Sequence, residues 1–145
     1  MKCWRWVLLV AALCAPGCSS SPTQPPGPSP GTGNETEPND FAAQSLGTLS
    51  STDFVVNGST ATGSDVDLFA VTVGATANLY AKLDWSSGSY LELSLSNQNG
   101  VFVRHVAGVR PETCTLSGLP PGTYTIRVGS LTDAASGYAL TIGQR

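Results

Sequence analysis

Leu91-Glu92-Leu93-Ser94-Leu95-Ser96, then Asn97-Gln98-Asn99-Gly100, then Val101-Phe102-Val103-Arg104-His105-Val106: the reading of the whole chain turns on this stretch. Leucine returns at every second position from Leu91 to Leu95, which places all three on one face of a half-buried strand. Asn99-Gly100 accepts positive φ at little cost and closes a tight turn. Val101 and Val103 then alternate along the returning segment, with His105 in step. The stretch predicts a β-hairpin.

The same signature recurs on both sides of it. Phe69, Val71 and Val73 alternate with small or polar partners, and so do Leu79, Ala81 and Leu83. Downstream come Cys114 with Leu116, then Tyr124, Ile126 and Val128, then Tyr138, Leu140 and Ile142. Pro120-Pro121-Gly122 and Ala135-Ser136-Gly137 break these last three apart. Helical periodicity is missing throughout; Phe41–Leu46 has room for a single turn. About 7–9 short strands between punctuating turns predict an antiparallel β-sandwich or barrel.

The domain begins late in the chain. Lys2 and Arg5 precede the apolar run Trp6–Leu13, which is shorter than the roughly 20 residues a membrane-spanning helix needs. Small residues follow in Ala15-Pro16-Gly17-Cys18. That order of charge, apolar stretch and small-residue site is a secretory signal peptide, residues 1–17. Ala15-Pro16-Gly17-Cys18 resembles the lipobox of bacterial lipoproteins, although Pro16 and Cys14 depart from its usual residues. The resemblance implies that Cys18 is acylated and that the protein is exported and lipid-anchored to the cell envelope. Ser19 and Ser20 in place of an aspartate favour an outer membrane where two membranes are present. From Cys18 to Asn34 runs a stalk whose residues Ser19–Asn34 include five prolines and no charge. Such a segment builds no core and extends to roughly 50 Å. The sandwich is expected over residues 35–145.

Charge excludes one class of partner. With Lys2 and Arg5 removed, five basic residues face ten acidic ones. Nucleic-acid binding has no basic footprint to rest on. Catalysis is equally poorly provided for. His105 is the single histidine and sits on a strand pattern, and no serine lies in a G-x-S-x-G context. Cys114 is the one cysteine of the domain and alternates with Leu116, as a buried small hydrophobe would. The expectation is a non-enzyme.

The acids are unevenly placed. Glu35, Glu37, Asp40, Asp53, Asp65 and Asp67 follow one another with no lysine or arginine between them. If strand pairing joins Glu35–Asp40 to Asp65–Asp67, these carboxylates and the Asn39 amide converge. Two readings stand: solvated turn acids, or an oxygen-only cage suited to calcium rather than zinc or copper.

Glu35-Thr36-Glu37-Pro38-Asn39-Asp40-Phe41, with Ala43 and Leu46-Gly47, resembles the opening of the bacterial pre-peptidase C-terminal domain. Gly63-Ser64-Asp65-Val66-Asp67-Leu68-Phe69, Gly122-Thr123-Tyr124-Thr125-Ile126-Arg127-Val128 and Gly137-Tyr138-Ala139-Leu140 match its later elements in order. The resemblance spans Glu35 to Ile142. It implies a jelly-roll-like sandwich without catalytic residues, usually appended to secreted peptidases; here the domain is expected to stand without one. Similar domains of clostridial collagenases bind calcium through this acidic segment. The implied ligands are Glu35, Glu37, Asn39, Asp40, Asp65 and Asp67. A binding or adhesion module for an extracellular protein or glycan is the expected role, with Trp85, Tyr80 and Tyr90 as candidate contact aromatics. The alternatives are a structural or assembly component of the envelope, an accessory to secreted peptidases, or, last, a hydrolase.

Overall fold

The computed structural model describes residues 31–86, 89–107 and 109–145, with the backbone alone for 102–107. The signal segment, Cys18 and the stalk up to residue 30 lie outside the described residues, as does the side chain of His105.

Ten strands follow one another: β1 Thr32–Asn34, β2 Gln44–Thr48, β3 Phe54–Thr60, β4 Val66–Val73, β5 Ala77–Trp85, β6 Leu91–Asn97, β7 Phe102–Ala107, β8 Glu112–Leu119, β9 Gly122–Ser130 and β10 Ser136–Gln144. They form two five-stranded sheets, β1-β3-β10-β5-β8 and β2-β4-β9-β6-β7. All pairs are antiparallel except β1 with β3 and β2 with β4, the two pairs at one edge of the sandwich. The expected strands are thus present, and the three-residue β1 adds a strand inside the segment read as stalk. Phe41–Leu46 makes no helical turn; its second half is the start of β2.

Alternation builds the core. Phe69, Val71, Leu79, Leu83, Leu91, Ile126, Val128, Leu140 and Ile142 are all fully buried between the sheets. Burying a side chain of this size contributes about 1.5–3 kcal/mol. Cys114 is buried among them, as its period with Leu116 predicts. The 91–106 hairpin closes at Gly100 with φ 72°. There the Asn97 side chain accepts the amides of Asn99 and Val101 at 3.0 and 3.1 Å.

Strand directions sort the connections into two ends. Residues 61–65, 86, 89–90, 109–111 and 131–135 lie at one end, together with the 35–43 segment that leads from β1 to β2. Residues 49–53, 74–76, 98–101 and 120–121 lie at the other. Because β1 runs parallel to β3, the chain enters the sandwich at the second end and reaches its acidic segment at the first.

Candidate cation site

β1 delivers Glu35 to the top of β3, where the Glu35 amide donates to the Asn57 carbonyl at 2.9 Å. Ser59 N–H donates to Glu35 Oε1 at 3.0 Å and fixes the side chain. Asp67 follows from β4, one step before Phe69 on the same inward row, and is fully buried. Glu37 enters from the loop, where its Oε2 accepts the backbone N–H of Asn39 at 2.9 Å. Carboxylate oxygens of Glu35, Glu37 and Asp67 come to lie within 4.8 Å of one another.

Between two of them stands Tyr138. Its hydroxyl is 2.7 Å from Glu35 Oε2 and 2.7 Å from Asp67 Oδ2. Gly58, paired with Tyr138 across the sheet, makes this possible. A Cβ there would stand 2.2 Å from Glu35 Oε2 and 2.3 Å from Tyr138 Cζ. Neither residue was singled out from the sequence. Tyr138 reads as one more core position on the row of Leu140 and Ile142, and an isolated strand glycine signals close approach without saying to what.

The electrostatics are those of an unneutralised cage. Burial pushes the Asp67 carboxyl up to about 7, and the charges of Glu35, Asp65 and Glu37 push the same way against the Tyr138 hydrogen bond. The Tyr138 phenol is pushed far above its ordinary value, by burial first and then by its two carboxylate partners. The described cations are engaged elsewhere: Lys82 and Arg110 with Asp84, Arg127 with Glu92, Arg145 with Asp53.

Several buried polar atoms of the same segments have no hydrogen-bond partner among the described residues. Asn39 is 1% exposed, and neither its Oδ1 nor its Nδ2 has a hydrogen-bond partner among the described residues. Asp67 Oδ1 and Asp40 Oδ1 are orphaned in the same way. Buried polar atoms are rarely left so. A hard cation taking oxygen ligands satisfies the three oxygens of this set, Asn39 Oδ1, Asp40 Oδ1 and Asp67 Oδ1, though not the Asn39 Nδ2 donor, and the oxygen chemistry fits calcium.

The six expected ligands therefore separate. Glu35, Glu37 and Asp67 converge, and Asn39 and Asp40 bring orphaned oxygens. Asp65 does not join the three-carboxylate group. Its Oδ2 accepts the Ala61 amide and closes the β3–β4 turn, so it acts on the site as a neighbouring charge.

The expected contact aromatics separate too. Trp85 is not exposed: it continues the inward row of Leu79, Ala81 and Leu83, is 4% exposed, and donates Nε1–H to the Ser89 carbonyl at 2.8 Å. Tyr80 is half-buried, with the Arg145 guanidinium 4.6 Å from its ring centroid. Tyr90 is 57% exposed at the end that carries the acids.

Among solved structures, the sandwich is similar to the pre-peptidase C-terminal domain of a collagenase from Bacillus anthracis. The TM-score is 0.60 at 16% identity, over 74% of this chain and 99% of that one. This is the pre-peptidase C-terminal fold. The mitogen of Yersinia pseudotuberculosis is also similar, with TM-score 0.51 at 11% identity over 64% of this chain and 86% of its own. No family model matches the sequence, nor does a curated protein.

Proposed function

We propose that the chain is an exported, lipid-anchored binding module that performs no chemistry of its own, and that calcium fastens its sandwich at the acidic end. The observation that carries the calcium reading is the convergence of Glu35, Glu37 and Asp67 beside a buried Asn39 whose amide is unpartnered. The ion ties the segment that follows β1 to the start of β4. Glu35, Glu37 and Asp67 hold it, Asn39 Oδ1 and Asp40 Oδ1 complete the oxygen set, and its charge offsets the repulsion among them.

A displayed module agrees with the topology. The described chain begins at the end of the sandwich opposite the acids, so a stalk rising from an acylated Cys18 presents the acidic end away from the bilayer. The partner class is an extracellular protein or glycan. Support for a non-catalytic role comes from the fold shared with an accessory domain of a collagenase and from the single histidine.

Thermal melting of the full chain with calcium and then with excess EDTA tests the metal. An ion that binds only the folded state at 100-fold above its Kd stabilises by about 2.7 kcal/mol. That raises the melting temperature on the order of 10 °C. Identical melts in the two buffers would remove calcium from the proposal.

A further inference from the structure

The outer face of the first sheet carries a furrow one strand wide. Its floor is β10, whose outward positions are Gly137, Ala139 and Thr141, since Tyr138, Leu140 and Ile142 point into the core. Asn57 and Ser59 of β3 stand on one side, in register with Ala139 and Gly137. Lys82 and Asp84 of β5 stand on the other, in register with Thr141 and Ala139. Neighbouring strands lie about 4.8 Å apart, so the walls are about 10 Å apart.

The furrow has a closed end and an open end. At Gly143 the Asp53–Arg145 pair lies across the floor: a Cβ there would stand 1.9 Å from Asp53 Oδ1. Towards Gly137 the furrow opens into a shallow, solvent-open depression bordered by Gly58, Asp84, Ser86, Arg110, Gly137 and Tyr138. Asp84 accepts from Arg110 Nε at 3.0 Å, and Lys82 Nζ lies 4.0 Å from its other oxygen.

We propose that this furrow binds an uncharged oligosaccharide, laid along β10 with its hydroxyls against Asp84, Arg110 and Asn57. Three features select that occupant. The width admits one extended chain. The lining is glycine, alanine, serine and amide, with no large exposed apolar side chain for the apolar centre of a protein interface to pack on. Its charges stand side by side, so a hydroxyl finds a carboxylate acceptor and guanidinium donors within one residue's reach, whereas an ionic group meets charges already engaged. The proposal deepens the binding-module reading; Ser59, Gly58 and Tyr138 border both the furrow and the cation site, but the side chains offered to the sugar, Asp84, Arg110 and Asn57, are not among the converging carboxylates.

Binding of the full chain in detergent to an array of neutral and uronate-containing oligosaccharides tests this, with circular dichroism of the same samples confirming the fold. We expect neutral oligosaccharides to be retained, with or without calcium while the protein stays folded. Asp84→Ala should weaken retention about ten-fold, the scale of one hydrogen bond to a charged group. Gly137→Val gives a second, independent arm. A Cβ at Gly137 meets only Gly58 O at 3.9 Å and Ser86 Oγ at 4.0 Å, so the variant should fold while filling the floor and abolishing retention. Folded protein that retains no oligosaccharide, or that retains only the uronates, overturns the proposal. So does wild-type retention by both variants. A lost calcium response with intact sugar retention would strike the metal reading alone.

Discussion

The Tyr138 hydroxyl lies 2.7 Å from Glu35 Oε2 and 2.7 Å from Asp67 Oδ2. A phenol has one proton, so it donates to one carboxylate at a time. The other contact needs a proton on a carboxyl group or a cation that draws both oxygens together. Both remedies act at Asp67, which is fully buried and titrates at about 7.

That position has a consequence for stability against pH. Asp67 in the folded protein holds a proton that the unfolded chain, titrating at 3.8, has released. Stability of the calcium-free protein should therefore fall as pH rises from about 4 to about 7, then level off. If calcium is held by the ionised cage, the stabilisation it gives should grow over the same window. Melts in EDTA at about pH 5 and about pH 8 check the first point; a higher melting temperature at the alkaline value would refute it. Asp53 and Asp84 act on the acid side only, because Arg145 and Arg110 hold their carboxyls below the usual range.

Asp67 and Asp65 should part company in their response to calcium. Asp67→Ala removes a converging carboxylate and should erase the calcium-induced rise in melting temperature. Asp65→Ala removes the turn bond to the Ala61 amide and should cost about 1–2 kcal/mol whether or not calcium is present. Asp133→Ala, outside the carboxylate group, should leave the calcium rise intact. Melts of the three variants in calcium and in EDTA separate these outcomes. An unchanged calcium shift in Asp67→Ala would show that the ion, if bound, sits elsewhere.

Anchoring is tested by Cys18. Each buried methylene of an acyl chain contributes about 0.8 kcal/mol to membrane binding, so two or more chains hold a protein firmly. In a bacterial host the wild-type chain should fractionate with membranes, and the mass of its mature N-terminus should show a lipidated Cys18. Cys18→Ala should move it to the soluble fraction. Soluble wild-type protein would mean that the Ala15-Pro16-Gly17-Cys18 site is not used.

The sandwich was legible because two-residue periodicity maps directly onto faces: each triplet from Phe69-Val71-Val73 to Tyr138-Leu140-Ile142 is buried as written. The convergence of Glu35, Glu37 and Asp67 was legible as acids without bases, though the separate duty of Asp65 was not, since its turn bond depends on loop geometry. Trp85 was misplaced for a simpler reason. It follows Leu83 by two residues, so period alone assigns it to the core, whereas its aromatic character alone suggested a contact surface. Tyr138 escaped notice because a tyrosine on an inward row looks like core until the two carboxylates from distant segments are seen at its hydroxyl. The parallel edge pairs were hidden because pairing across sequence gaps leaves no periodic trace.

Trp85 also provides a readout. It is the only tryptophan outside the N-terminal segment, so emission from a chain cleaved before Cys18 reports on this residue alone. Buried and hydrogen-bonded to Ser89, it should emit to the blue of free tryptophan and resist quenching by iodide. Emission like that of free tryptophan would return it to the surface.

Gly58 gives the sharpest test of how the site is assembled. Its backbone φ is not in the left-handed region, so alanine there meets no conformational penalty. The obstacle is space alone: Glu35 Oε2 and Tyr138 Cζ occupy the position of its Cβ. Both belong to segments remote in sequence, and both must move if a methyl group is added. Gly58→Ala should therefore break the Tyr138–Glu35 contact, lower the melting temperature by several degrees (about 4–8 °C for each kcal/mol), and weaken calcium binding. Adding alanine at a free strand glycine such as Gly33, where no atom lies within 4 Å, should do neither. Calorimetry of both variants with calcium compares them directly. Equal behaviour would mean that β3 and the Glu35 segment do not meet at Gly58, and the cage built upon that meeting would have to be redrawn.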